Sequence, residues 1–158
     1  MHITRICDIH KTAWMALAID HIAELTGDAD AEPELALTCH SFDLPHDHPR
    51  KTYCWVALAD GEVCGFLIAM VHQFPFWPGP MVYVSDVYVA PKHRRKGMGR
   101  ALMDAAICFG KAMEAHHIWW MTKADNPARA LYDQIARSTD VAMYCGLLPA
   151  GARVMLKK

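Results

Sequence analysis

Between residues 81 and 115 the chain passes from a strand through a basic, glycine-containing loop into a helix. This succession constrains the fold more than any other stretch. The run Met81–Ala90 is almost continuous in Val and Tyr, which predicts a strand buried on both faces. Apolar residues at helical spacing follow from Met98 to near Ala115. A buried strand that leads directly into a helix is typical of a mixed α/β layer fold.

The loop between this strand and this helix contains the pattern Arg94-x-x-Gly97-x-Gly99. Glycines let the backbone turn tightly and approach a ligand closely. The first amides of a helix have no acceptor inside the helix, and the helix dipole is positive there. Five Lys or Arg side chains and no acid fall between Lys92 and Arg100. We therefore expect an anion site at this junction, with a pyrophosphate as its natural occupant.

Two other phosphate-binding loops do not fit this pattern. A Walker A loop needs Lys and then Ser or Thr after its last glycine, whereas Arg100 follows Gly99 here. A dinucleotide fingerprint needs a third glycine where this chain has Leu102, and it opens its domain, whereas this loop lies past the middle. Taken alone, the loop leaves one alternative, an ordinary turn with a solvated basic edge.

The composition indicates one globular domain over residues 1–158, with 53% hydrophobic and 21% charged residues. A formal net charge of −1 argues against a nucleic-acid partner. No stretch approaches the roughly 20 apolar residues that span a bilayer, and we see no signal peptide, so no membrane partner is expected. The six cysteines form no C-x-x-C pair, which predicts reduced thiols in a cytoplasmic protein.

The remaining segments are assigned from apolar periodicity and turn residues. They predict a strand over 2–9, a helix over 11–25 ended by Gly27, a helix over Pro33–His40, a hairpin on Asp60-Gly61, a strand over 117–124, a helix starting at Asn126-Pro127, and two C-terminal strands near 141–145 and 152–158. The predicted order is β-α-α-β-β-β-α-β-α-β-β.

The stretch VYVSDVYVAPKHRRKGMGRALM resembles the core acetyl-CoA motif of the GNAT superfamily of N-acetyltransferases. In that motif a strand ending V-x-P is followed by [QR]-x-x-G-x-[GA] and a helix. The stretch WWMTKADNPARALYDQIA resembles the family's second block, a strand, an Asn and an A-x-x-L-Y helix. The resemblance implies the GNAT-type acyl-CoA N-acyltransferase fold, α/β with a mixed central sheet flanked by helices. It also implies direct transfer of acetyl from acetyl-CoA to a primary amine.

The resemblance further implies which residues bind acetyl-CoA. The glycine loop would cradle the pyrophosphate, the strand before it would pair with the pantetheine arm, and an Asn would hydrogen-bond that arm. The residues are Arg94, Arg95, Lys96, Gly97, Met98, Gly99 and Arg100 in the loop, Val87, Tyr88 and Val89 on the strand, and Asn126. Relatives often have one more residue between the Asn and the Tyr, so Asp125 is the alternative to Asn126.

The implied chemistry needs an acid and a base. Tyr132 would protonate the leaving thiolate, and a backbone amide of Val87 or Tyr88 would stabilise the tetrahedral oxyanion. A lysine-like amine has a pKa of about 10.4 and needs a proton acceptor at neutral pH. Many relatives carry Glu-Asp where this chain has Ser85-Asp86, so Asp86 is the candidate base, acting through water. The alternatives are that Asp86 only orients the substrate and that Tyr132 is a core residue.

The expected acceptor is a cationic amine. Eight acids and no Lys or Arg lie between Thr12 and Pro49, and Phe74, Phe76 and Trp77 follow in the loop before the central strand. Acids and aromatic rings suit a polyamine, an aminoglycoside-like amine or a lysine side chain. Two alternatives stay open, namely an acidic helix face that is merely solvated and a non-catalytic acyl-CoA-binding module.

The ten histidines do not predict a metal site. The pairs His46-x-His48 and His116-His117 are the clusters among them, and neither has a third ligand at a suitable spacing. Small CoA-dependent enzymes with free strand edges often pair, so a homodimer is among the expected assemblies.

Overall fold

Five strands form one mixed sheet with helices on both faces, within residues 1–28, 30, 35–73, 75–76 and 78–140 of a computed structural model, which are the residues that the structure describes. The strands are β1 (His2–Arg5), β2 (Thr52–Ala59), β3 (Glu62–Gln73), β4 (Pro80–Val89) and β5 (His117–Trp120). The helices are α1 (Asp8–Thr26), α2 (Leu35–Asp43), α3 (Met98–Ala112) and α4 (Arg129–Ile135). The predicted fold class is confirmed. The two predicted C-terminal strands lie outside the described residues.

The sheet order is β1-β2-β3-β4-β5, with β1 to β4 antiparallel and β5 parallel to β4. The predicted hairpin joins β2 and β3. Asp60 has φ 52° and Gly61 has φ 84°, so both central residues adopt the left-handed conformation that a type I′ turn requires. Gly65 lets β3 approach β4, because a Cβ there would lie 2.7 Å from the Tyr88 carbonyl oxygen.

Two apolar cores lie on opposite faces of the sheet. The α3-side core lies under α3 and α4, and the α1-side core lies under α1 and α2. The largest buried side chains are Tyr53, Leu67, Leu102 and Met103 in the α3-side core, and Trp14 and Phe66 in the α1-side core. Strand residues alternate between the two cores because side chains point to opposite faces with a period of two.

A β-bulge interrupts this alternation in β4. Ile68 pairs with Asp86 and Ala69 pairs with Val84, which leaves Ser85 as the extra residue. Val84 therefore packs in the α3-side core, whereas Asp86 and Tyr88 face α1. The bulge sets the direction of the carboxylate that the sequence singled out.

The prediction that the central strand is buried on both faces is wrong. Within β4 only Val82, Val84 and Tyr88 are buried. The ladder with β5 ends at the Val84–Trp120 pair, so the second half of β4 loses its neighbour on that side and gains exposure.

Several predicted boundaries also differ. β1 ends at Arg5 because the extended Cys7 is the N-cap of α1. β5 ends at Trp120 rather than at residue 124, and α4 begins at Arg129 rather than at Asn126. The Asn126 Oδ1 accepts the amide of Ala128 at 2.9 Å, which forms a turn where a helix start was predicted.

Candidate active site

The glycine loop exposes a run of backbone donors. None of the amides of residues 95–100 donates a hydrogen bond within the part of the chain that the structure describes. The flanking amides are used, because Arg94 donates to the Pro91 carbonyl and Ala101 donates to the Gly97 carbonyl. Six consecutive amides without a described acceptor, at the N-terminus of a 15-residue helix, are backbone donors of the kind that anions bind; the loop over residues 95–100 is called the amide cradle below.

The two glycines of the loop differ in backbone conformation, and glycine is needed at only one of them. Gly97 has φ 83°, a conformation that strains any L side chain, yet a Cβ there would meet nothing within 4 Å. Gly99 has no such φ, and its Cβ would make an ordinary 3.5 Å contact with Leu131 of α4. Arg95 also has a positive φ of 61°, so the loop holds backbone strain of a kind that persists at ligand-binding clamps.

Arg94, Lys96 and Arg100 of the loop have protein partners. The Arg94 Nη2 donates to both carboxylate oxygens of Glu24 on α1 at 2.8 Å, and its Nε donates to the Val89 carbonyl at 2.8 Å. Arg100 pairs with Asp104 one turn later at 3.0 Å, and the Lys96 Nζ donates to the Lys92 carbonyl. These exposed pairs are weak enough for a phosphate to compete with them.

The edge of β4 after Val84 is unpaired on the β5 side among the described residues. The predicted pantetheine-binding residues Val87, Tyr88 and Val89 lie on this edge and lead directly toward the glycine loop. An unpaired strand edge offers backbone donors and acceptors to an extended ligand. The unpaired edge of β4 is thus followed along the chain by the loop with the free amides.

Tyr132 lies where β4 and β5 separate. Its ring meets the Trp120 ring edge-on at 5.4 Å between centroids, and Trp120 is the register partner of Val84. Burial raises the pKa of the Tyr132 hydroxyl. A raised pKa keeps this hydroxyl protonated at neutral pH, as a proton donor requires.

Asn126 is engaged within its own loop. Its Nδ2 donates to the Thr122 hydroxyl at 2.8 Å while its Oδ1 accepts the Ala128 amide. Contact of Asn126, or of the alternative Asp125, with a pantetheine arm stays a prediction.

A cavity of about 120 Å³ opens beside the free edge of β4, between α1, α2 and the sheet. Its polar lining includes Asp86 and His21, whose Oδ1 and Nε2 atoms lie 3.1 Å apart. Trp14, Phe66 and Ile68 provide its apolar wall. Asp86, the base that the sequence predicted, therefore lines a small cavity.

Two opposing effects act on Asp86. Burial would raise the pKa of its carboxyl, but hydrogen bonds from His21 and Ser85 and the charge of His21 lower it below its ordinary value. Asp86 is consequently a carboxylate at neutral pH and a weak base by itself.

His21 is the site residue that the sequence analysis missed. It lies seven residues after Trp14 and three after Ala18, on the stripe of α1 that faces the sheet. A histidine on a buried helical stripe is a signal for a polar contact across the interface, but its partner Asp86 lies 65 positions away. The aromatic wall predicted for the acceptor is described only at Phe76, which is 95% exposed, because Phe74 and Trp77 lie outside the described residues.

Other features of the described residues concern metal ligands, cysteines and membrane-spanning helices. No group of three potential metal ligands occurs among the described residues, and the His46 Nδ1 is bonded to the Tyr53 hydroxyl at 3.0 Å. The five cysteines within the described ranges are free thiols. No described helix combines the length and the apolar character needed to cross a membrane.

Comparisons with known proteins show the family of the chain. Residues 12–136 match the model of the Acetyltransferase (GNAT) family. A streptothricin acetyltransferase from Streptomyces lavendulae is 32% identical over 69% of this chain and 57% of its own length. A D-amino-acid N-acetyltransferase from Saccharomyces cerevisiae is 30% identical over 57% of this chain and 59% of its own length. The matched region thus spans less than two thirds of these relatives.

The fold has solved counterparts as well. A crystal structure of an aminoglycoside acetyltransferase from an uncultured soil metagenomic sample, in complex with trehalose, superposes with a TM-score of 0.74 at 19% identity. It covers 93% of this chain and 96% of that one. The family model matches residues 12–136, well over half of the sequence, and the chain belongs to the GNAT acetyltransferase family.

Proposed function

We propose that this protein is an N-acetyltransferase that moves acetyl from acetyl-CoA directly to a primary amine. The preferred acceptor is a small cationic amine of the polyamine or aminoglycoside-like kind, with a lysine side chain as the next candidate. The observation that carries this proposal is the meeting of three features at one cleft, namely the amide cradle, the unpaired edge of β4 and the Asp86 cavity.

The described residues fit acetyl-CoA. The six free amides and the space above Gly97 suit a pyrophosphate, with Arg94, Arg95, Lys96 and Arg100 adding positive charge around it. The backbone of Val87, Tyr88 and Val89 offers pairing groups for the pantetheine arm. The Val89 carbonyl is held by Arg94 in this structure, so Arg94 would exchange that carbonyl and Glu24 for phosphate oxygens.

The reaction places acid and base on opposite sides of the reacting carbonyl. The neutral amine nitrogen bonds to the thioester carbon and loses one proton to a group on the Asp86 side. The carbon–sulfur bond breaks, and Tyr132 gives its proton to the leaving thiolate. An amide from Val87 or Tyr88 stabilises the oxyanion between these steps. Tyr132 recovers a proton from solvent.

The charge around the cavity favours a cationic acceptor. Asp20, Glu24, Asp28 and Asp30 lie exposed on the second half of α1 and just beyond it. The Tyr88 hydroxyl donates to the Glu24 carboxylate at 3.2 Å, and burial together with the charges of Glu24 and Asp20 raises the pKa of that hydroxyl. Arg94 is bound to Glu24 in the same region. A polycation would be attracted here, whereas the carboxylate of an amino acid would meet acids.

The curated relatives represent both acceptor chemistries, since one acts on streptothricin and the other on D-amino acids. Because acids cluster on α1, we propose a cationic acceptor for this chain rather than a D-amino acid. The free thiols support the proposal of a cytoplasmic location. A homodimer stays a proposal that follows from the size and class of the chain.

The test is thiol release from acetyl-CoA in the presence of an amine panel that includes spermidine, an aminoglycoside, a lysine peptide and D-amino acids. We expect the highest kcat/KM for the polycations, with a steep fall as salt increases. A higher kcat/KM for D-amino acids would refute the acceptor assignment. Tight acetyl-CoA binding without transfer to any amine would instead identify a non-catalytic acyl-CoA-binding module.

A further inference from the structure

We infer that His21 is the group that takes the proton from the acceptor amine and that Asp86 is its positioning residue. This inference rests on the proposed function and replaces Asp86 as the direct proton acceptor. It is carried by the contact between the two side chains and by their place on the wall of the acceptor cavity.

The contact fixes which imidazole nitrogen is free. A carboxylate only accepts hydrogen bonds, so the Nε2 atom that lies 3.1 Å from Asp86 Oδ1 must carry the hydrogen. The lone pair of a neutral imidazole then resides on Nδ1. No described group bonds to that Nδ1. Asp86 therefore holds the ring in the tautomer that can accept a proton.

The surroundings hold the ring in place without burying it completely. Its ring meets the Phe66 ring at 5.8 Å and the Tyr88 ring at 5.2 Å between centroids. The His21 side chain retains 18% of its exposure, and that of Asp86 retains 33%. His21 is thus oriented by three neighbours and still reaches the cavity.

Few charges face this pair. Asp86 and Tyr88 approach His21 from β4, and Asp20 and Glu24 are the acids near it on α1 itself. Arg94 acts through its pair with Glu24. The cavity residues from β3 and α2 are uncharged, namely Phe66, Ile68, Leu35 and Thr38. The carboxylate of Asp86 is therefore the charge best placed to stabilise an imidazolium.

The proton balance is complete with these groups. The amine nitrogen forms its bond to the acetyl carbon and loses one proton to Nδ1 of His21, while Asp86 stays a carboxylate hydrogen-bonded to Nε2–H. The bond to sulfur breaks, and the thiolate is protonated by Tyr132. His21 then releases its proton to solvent and Tyr132 takes one from solvent, so that neutral amine and thioester give amide and thiol with both side chains restored.

The experiment compares wild type with His21→Asn, Asp86→Asn and the control His2→Asn, whose histidine is exposed on β1. We expect His21→Asn to lower kcat/KM about a hundredfold or more. It should also reduce the slope of log(kcat/KM) against pH on the acid side of the profile, because the proton acceptor is gone. Asp86→Asn should lower kcat/KM and keep that slope. The control should match wild type.

A second readout does not depend on turnover. Long-range ¹H–¹⁵N spectra at pH 8 should show the Nε2–H tautomer of His21 in wild type and a loss of that preference in Asp86→Asn. An active wild type whose His21→Asn variant keeps its rate within threefold and its full slope would overturn the inference and leave the proposed function intact. Absence of transfer by wild type to every amine would overturn both.

Discussion

Replacing Gly97 with Ala isolates the backbone conformation of the anion loop. A Cβ at this position would meet nothing within 4 Å, so the substitution adds no clash. The whole cost comes from holding an L residue at φ 83°, which is about 1–2 kcal/mol. For a chain of this length we expect Tm to fall by about 2–8 °C. Any relaxation of the loop would misalign the free amides, so acetyl-CoA binding should weaken by up to about tenfold.

Gly99→Ala is the matched control. Gly99 lies in the first turn of α3 without a positive φ, and its new methyl would make an ordinary contact with Leu131. We expect unchanged or slightly higher stability, because Ala favours a helix over Gly by up to about 1 kcal/mol. Thermal unfolding gives Tm, and titration calorimetry with acetyl-CoA gives Kd. Equal Tm values for wild type and Gly97→Ala, or a greater loss in Gly99→Ala, would refute this reasoning.

Three further predictions test the cleft. Glu24→Gln should free Arg94 for the cofactor and tighten acetyl-CoA binding about two- to fivefold at low salt, as a half-exposed ion pair allows; weaker binding by calorimetry would contradict this. Tyr132→Phe should lower kcat at least tenfold with the acetyl-CoA Kd within threefold, since it removes only the hydroxyl; turnover within twofold would remove the acid role. Because the pKa of Asp86 lies below its ordinary value of about 3.9, wild type should be more stable than Asp86→Asn above that pH, and the advantage should shrink as the pH falls through the lower folded-state pKa. Urea unfolding at pH 7 and pH 3 measures this difference, and an advantage at pH 3 as large as that at pH 7 would oppose the assignment.

Local signals in the sequence predicted those parts of the fold that depend on neighbouring residues. The Asp60-Gly61 turn and the helix that follows Gly97 each result from a few adjacent residues, and both occur as expected. The residues of the glycine loop were assigned to pyrophosphate binding because the two family motifs occur in the expected order. The free amides of residues 95–100 give a physical reason for the first of these motifs.

Features that depend on distant contacts were not predicted. The start of α4 moved to Arg129 because the side chain of Asn126 bonded its own loop instead of leading into a helix. His21 had no recognisable role until α1 was packed against β4. Apolar periodicity predicts which face of a helix is buried, but it does not predict which polar side chain of the facing strand that face will contact.

Ser85 has a consequence for how insertions and deletions would act on this enzyme family member. Before it, the even-numbered residues Val82 and Val84 point toward α3; after it, Asp86 and Tyr88 point toward α1. Deleting Ser85 would place Asp86 directly after Val84, and a period of two would still send these two side chains to opposite faces of the sheet. If the strand instead kept Ser85 and lost the bulge, Asp86 would share the face of Val84, and its carboxylate would be directed into the hydrocarbon under α3. The strand therefore has two side-chain registers. Before Ser85 the even-numbered residues pack under α3, and after Ser85 they face α1.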